Sequence, residues 1–96
     1  MTNLEAILRL SVNRGDGLAM TSLRDNNAQA IRAAVTRYFG VGPKADKAES
    51  VIMQRMADHA RSYERQENAE EWLAKCVNTE CDRLRNEGIH DKANRD

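Results

Sequence analysis

Residues 45–63 read ADKAESVIMQRMADHARSY, and this stretch carries the longest helical periodicity in the chain. Its apolar side chains recur every three or four residues, the spacing that lines one face of an α-helix. These side chains are Ala45, Ala48, Val51, Ile52, Met56, Ala60 and Tyr63. Pro43 stands just before them, and proline suits the first turn of a helix. We therefore predict a long amphipathic helix with one buried face.

A second helix of the same kind follows a wholly polar loop at residues 64–67. Asn68 and Glu71 form a pair typical of a helix N-terminus, and Gly88 is a typical residue beyond a helix C-terminus. The predicted apolar stripe contains Trp72, Leu73, Cys76, Val77, Cys81 and Leu84. This pattern predicts the final helix of the domain.

Turn signals divide the upstream sequence into shorter helices. Thr2 and Glu5 form a capping box that opens the first helix, and Gly15-Asp16-Gly17 ends it. A short second segment is predicted over Leu18 to Leu23, and Asp25-Asn26-Asn27 supplies cap residues for the next helix. The predicted stripes are Leu4, Ile7, Leu8 and Ser11 in the first helix, and Ala28, Ile31, Ala34, Val35, Tyr38 and Phe39 in the third.

Length and composition favour a small all-α fold. The chain has 96 residues, which is room for one core, and no segment alternates in the manner of a strand. Leu, Ile, Val and Phe together number only 17, so alanine packing and modest stability are expected. We predict a single helical bundle of four to five helices over residues 1–88, followed by a frayed tail at 89–96.

The charge balance and the cysteines indicate a cytoplasmic chain without membrane attachment. The net charge is zero, and no apolar run approaches the roughly 20 residues that cross a bilayer. The N-terminus lacks the basic and apolar regions of a signal peptide. Cys76 and Cys81 fall five residues apart in one predicted helix, on different faces, so small buried thiols are expected rather than a disulfide.

The sequence contains no recognisable catalytic pattern. It has no glycine-rich phosphate loop and no nucleophile elbow. His59 and His90 are isolated, and the acidic pairs Glu70-Glu71 and Glu80/Asp82 are explained by helix capping and solvation. We therefore expect neither an enzyme nor a cofactor or metal site.

The final helix carries a family resemblance. The run EEWLAKCVNTECDRLRNE (70–87) resembles the close of region two in bacterial RNA polymerase sigma factors, especially the extracytoplasmic-function type. The matching positions are Trp72, Asn78 and Asp82-Arg83-Leu84-Arg85, and in the preceding helix Ala48, Glu49, Val51, Gln54 and Met56. The stretch GDGLAMTSLRDNNAQAIRAAVTRYFG is similar in outline to the opening helices, so the resemblance covers residues 15–87.

This resemblance implies a transcription-initiation domain. The helix over residues 45–63 would dock on a coiled coil of core RNA polymerase, through Glu49, Ser50, Gln54 and Arg55. The final helix and its preceding loop would bind the separated −10 strand of promoter DNA, using flipped bases and backbone contacts. The residues assigned to this contact are Arg61, Arg65, Trp72, Lys75, Asn78, Arg83 and Arg85. Promoter binding by this region alone is expected to be weak, and the implied partners include an anti-sigma-like regulator.

Two alternatives remain at this point. The neutral charge, Arg55 and the acidic loop ERQENAEE also fit a helical interaction module that kept the fold and lost promoter binding. Tyr63 and Trp72 could assist strand separation or fill the core, and their place on apolar stripes favours the core.

Overall fold

The computed structural model describes residues 1–88 as five α-helices, which confirms the predicted all-α bundle. The helices are α1 (Asn3–Val12), α2 (Gly17–Asn26), α3 (Ala28–Phe39), α4 (Pro43–Ala60) and α5 (Ala69–Glu87). The predicted tail at 89–96 and His90 lie outside the described residues. No helix within 1–88 is long and apolar enough to cross a membrane.

Helix α4 is the centre of the bundle, since it packs against each of the other four helices. The predicted stripe of α4 is the face that the neighbours cover, with Ala45, Ala48, Ile52 and Met56 fully buried. Alanine has no side chain beyond Cβ, so these positions let neighbouring helices approach closely. The long periodic stretch therefore does form the core of the domain.

The predicted cap residues stand where the sequence placed them. Thr2 and Glu5 form both bonds of the capping box, and the Asn68 side chain accepts a hydrogen bond from the Glu71 backbone N–H at 2.9 Å. Pro43 occupies the first turn of α4. Gly88 follows α5 with a φ of 80°, a conformation that glycine adopts without the steric cost of a Cβ. These local signals were sufficient to set four helix ends.

The second segment is longer than the predicted Leu18 to Leu23. Asp16 caps it, because its side chain accepts a hydrogen bond from the Ala19 backbone N–H at 3.0 Å. The helix then continues to Asn26, so two of the three predicted cap residues for α3 belong to α2 instead.

Asn27 occupies the N-cap position of α3 but makes no capping hydrogen bond. Its side-chain amide donates to the Leu23 carbonyl at 2.7 Å and to Asn3 Oδ1 at 2.8 Å. Tertiary contact with α1 therefore competes with local capping, which sequence patterns do not reveal.

The buried face of α1 differs from the predicted one. Asn3, Ala6, Ile7 and Leu10 are buried, whereas Leu4 is 40% exposed. The reason is a polar contact: Asn3 Nδ2 donates to Asn27 Oδ1 and to Glu70 Oε2, each at 3.2 Å. These bonds turn the asparagine face of α1 inward, so the leucine at the next position points outward.

Helix α4 ends at Ala60 rather than Tyr63. The backbone N–H groups of Arg61, Ser62 and Tyr63 donate to carbonyls three residues earlier, at 3.3, 3.0 and 3.2 Å. Such i to i−3 bonds tighten the chain into a turn and end the α-helix.

Two leucines of α2 provide a matched test of this core. Leu23 is fully buried and Leu18 is 72% exposed. Leu23→Ala should lower the free energy of unfolding by about 2–5 kcal/mol, because it leaves a cavity, whereas Leu18→Ala should change it by less than about 0.5 kcal/mol. Urea unfolding followed by circular dichroism measures both, and equal losses would contradict the packing described.

Candidate functional site

Three of the four residues assigned to polymerase docking line one groove. This groove, of about 670 Å³, lies between α2 and α4, and Glu49, Ser50 and Gln54 form part of its wall. Ser50 and Gln54 are exposed and Glu49 is half-buried. The helical repeat of α4 brings these positions to one side, so the groove is a continuous surface.

The floor of the α2–α4 groove is apolar and its rims carry both charges. Met20 and Met53 lie in it, with Arg14 and Arg24 among the lining residues contributed by α2 and the turn before it. The α4 side adds Asp46 beside Glu49. Sequence reasoning missed the two arginines, because only the packing of α2 against α4 brings them to this surface.

The acidic rim is held by an arginine of α3. Arg32 Nη2 lies 3.0 Å from Asp46 Oδ1 and 2.5 Å from Glu49 Oε1. The second contact lacks hydrogen-bond geometry, so Glu49 Oε1 is a buried oxygen without a directed donor. Arg32 therefore holds Glu49 at this rim through charge attraction.

Arg55, the fourth assigned residue, contacts a different set of side chains. Its Nη1 donates to Glu80 Oε1 at 2.8 Å, and its Nη2 lies 3.7 Å from Glu87 Oε1. His59 Nε2 and Arg83 Nη1 approach the other oxygen of Glu80, at 2.6 and 3.0 Å. We call Arg55, His59, Glu80 and Arg83 the Glu80 cluster, which joins α4 to α5.

The burial of Glu80 corrects the sequence prediction that solvation explains this residue. Its side chain is 0% exposed, although carboxylates are seldom buried without partners. A signal was present, because Glu80 falls on the same three-and-four spacing as Cys76, Val77 and Leu84. Its partners on α4 stand four residues apart, as side chains on one helix face do.

The partners of Glu80 keep it ionised. Burial raises the pKa of this carboxyl, but hydrogen bonds from Arg55 and His59 and the charge of Arg83 outweigh that effect, so its pKa lies below the ordinary value. His59 itself is 26% exposed, so it lies at the boundary between the core and the surface.

Some of the residues that the resemblance assigns to DNA contact have exposed side chains, and others have side chains that contact partners within the domain. Lys75 and Asn78 are exposed on α5, and Arg61 and Arg65 are exposed between α4 and α5. Two arginines near the end of α5 have intramolecular partners: Arg83 contacts Glu80, and Arg85 contacts Asp82 at 3.2 Å and lies 4.9 Å from the centre of the Tyr38 ring.

Trp72 belongs to the core in this structure. It is 8% exposed, and its ring meets the Tyr63 ring edge to face with centroids 5.2 Å apart. Such pairs stabilise a fold beyond their buried area. Stacking of Trp72 on a base would therefore require the tryptophan to leave this contact.

The two cysteines are free and buried. Burial, together with the nearby charge of Glu80, raises the pKa of Cys76 to about 11, and burial raises that of Cys81. Because the thiolate is the reactive form, neither group is suited to nucleophilic chemistry near neutral pH.

Comparison with known proteins adds no assignment. No family model, no curated protein and no solved structure matches this chain. The sigma-factor resemblance therefore rests on the residues quoted above.

Glu80→Gln should destabilise the fold, because it removes the charge that the guanidinium groups of Arg55 and Arg83 and the ring of His59 face. We expect a loss on the order of 2–4 kcal/mol in the free energy of unfolding. Asp82→Asn on the same helix is the control and should cost less than about 1 kcal/mol, since its ion pair with Arg85 is exposed. Denaturant unfolding of both variants measures the difference, and equal effects would contradict the role of burial.

The Glu80 cluster also predicts a pH dependence. The folded-state pKa of Glu80 is below its ordinary value of 4.5, so its contribution is full above pH 4.5 and is lost as pH falls through the folded-state pKa. The stability difference between the natural chain and Glu80→Gln should therefore shrink in acid. Unfolding measured over a pH series checks this, and a difference that stays constant down to acid unfolding would argue against it.

Proposed function

We propose that this chain is a transcription-initiation domain of the sigma region-two kind, which docks on core RNA polymerase through the α2–α4 groove. One observation carries the proposal: Glu49, Ser50 and Gln54, assigned to polymerase by the resemblance, line a single groove. Residues on separate turns of a helix can contact one partner together only when they lie on the same surface.

The chemistry of the groove suits a helical partner. Methionine side chains are flexible and polarizable, so Met20 and Met53 can adapt to an apolar helix face. Arginines on one rim and carboxylates on the other can pair with both charges of an amphipathic helix. The polymerase element implied by the resemblance is a coiled coil, whose exposed positions carry such charges.

A glutamine pair tests the docking surface. Gln54→Arg places a bulky cation in the α2–α4 groove. Gln29→Arg is the control, because Gln29 is exposed on α3 and does not line this groove. Gln54→Arg should weaken binding to purified core polymerase about tenfold or more, equivalent to roughly 1.4 kcal/mol. Gln29→Arg should bind as the natural chain does, and an absence of polymerase binding by the natural chain would reject the proposal.

The proposal also includes contact with the −10 strand by α5 and the turn before it. Lys75 and Asn78 supply an exposed cation and an exposed amide, and Arg61 and Arg65 lie ahead of them along the chain. Basic groups contact phosphates, and amides can bond base edges. The neutral overall charge makes this contact weak without polymerase.

A second function is favoured because several side chains of α5 already contact partners within the domain. Trp72 is in the core, and Arg83 and Arg85 have acidic partners, so part of the assigned DNA surface is committed to the fold. A helical interaction module that retains the protein-docking groove and lacks promoter binding fits this arrangement.

Salt dependence distinguishes the two functions. The transcription domain should bind a single-stranded −10 oligonucleotide in complex with polymerase, with affinity that falls as salt rises, because phosphate contacts release counterions. Lys75→Ala should reduce the salt slope by about one, and Thr79→Ala, an uncharged change nearby on α5, should leave it unchanged. Polymerase binding without any oligonucleotide binding would select the interaction module.

A further inference from the structure

A second groove, between α3 and α5, is mostly apolar and lies away from the α2–α4 groove; of the residues assigned to DNA, only Asn78 is among those that line it. It encloses about 470 Å³, and its floor includes Ile31, Leu73 and Val77. Exposed alanines form much of its walls, namely Ala30, Ala33 and Ala74. Small walls around an apolar floor allow another helix to approach closely.

Helices α3 and α5 run parallel along this groove. At one end, Asn27 before α3 and Glu70 in the first turn of α5 both accept hydrogen bonds from Asn3. At the other end, the Arg85 guanidinium of α5 lies over the Tyr38 ring of α3. The two helix N-termini therefore share one end of the groove, and α3 ends at the other, where α5 continues past the groove to Glu87.

The groove has opposite charges at its two ends. Among the residues that line it, only Glu70 and Arg37 are charged, and Glu70 marks the N-terminal end and Arg37 the C-terminal end. No ion pair joins either one to another residue within 1–88. The ends are about 15 Å apart, from ten residues of α3 at 1.5 Å each.

We propose that a second copy of this chain covers the α3–α5 groove in a two-fold symmetric dimer. A two-fold axis across the groove sets the helices of one copy antiparallel to those of the other. Arg37 of each copy then meets Glu70 of its partner, so the dimer has two Arg37–Glu70 ion pairs. The alanine walls pack together between these pairs. A two-fold interface must be self-complementary, and the opposite charges at the two ends of this surface meet that condition.

The helix dipoles support the same orientation. The two N-termini give the Glu70 end of the groove a partial positive charge, and the C-terminus of α3 gives the Arg37 end a partial negative charge. Antiparallel docking places the positive end of each copy over the negative end of its partner. Parallel docking would oppose like dipoles and like side chains, so the antiparallel dimer is the favoured arrangement.

Sedimentation of the full chain over a range of concentrations tests the dimer. The natural chain should shift towards twice the monomer mass as concentration rises. Ala33→Arg should abolish the shift by filling the groove, whereas Ala28→Arg, an equivalent change on an exposed alanine of α3 outside the groove, should not. Circular dichroism confirms that each variant is folded.

A charge exchange tests the pairing itself. Arg37→Glu should weaken self-association by about tenfold, because it sets like charges against each other twice, while Lys75→Glu alters net charge equally outside the groove and should not. Adding Glu70→Arg to Arg37→Glu restores opposite charges and should recover association. A chain that stays monomeric, or a dimer insensitive to Ala33→Arg and Arg37→Glu, would overturn the proposal, and neither result bears on polymerase docking.

Discussion

A carboxylate buried between α4 and α5 is the interaction on which the arrangement of this domain depends. Glu80 has no exposed surface and faces Arg55, His59 and Arg83, so its charge is compensated only when the two helices keep one register. A slide by one helical turn would leave a buried charge unpaired, which costs several kcal/mol. In an alanine-rich core, where apolar packing specifies register weakly, such a cluster selects one arrangement of the helices.

The same interaction decides which surfaces are open to partners. Because Arg55 pairs with Glu80, its guanidinium does not join the predicted polymerase surface. The ion pair between Arg83 and Glu80 likewise makes Arg83 less available to the predicted DNA surface. What remains is a groove with methionine on its floor and charges on its rims between α2 and α4, and an alanine-walled groove between α3 and α5. The domain therefore offers surfaces for helices more readily than a basic surface for nucleic acid, and the proposed polymerase docking and self-association use separate faces.

Local signals predicted the fold well, and long-range polar contacts account for what they missed. The stripe of α5 and the caps at Thr2, Asn68 and Gly88 depend on residues within one turn, so the sequence displays them. The inward face of α1 depends on Asn3 bonding to residues far along the chain, which no local pattern records. The grooves form where non-adjacent helices pack, so Arg14 and Arg24 could not be assigned from spacing alone.

A double-mutant cycle on Arg55 and Glu80 tests most directly whether the cluster fixes α4 against α5. The free energy of unfolding is measured for Arg55→Gln, Glu80→Gln, the double variant and the natural chain. The structure predicts a coupling energy of about 1–3 kcal/mol, because the two charges are hydrogen-bonded at 2.8 Å and one is fully buried. Losses that add to within about 0.5 kcal/mol would contradict this account, since independent residues show that additivity.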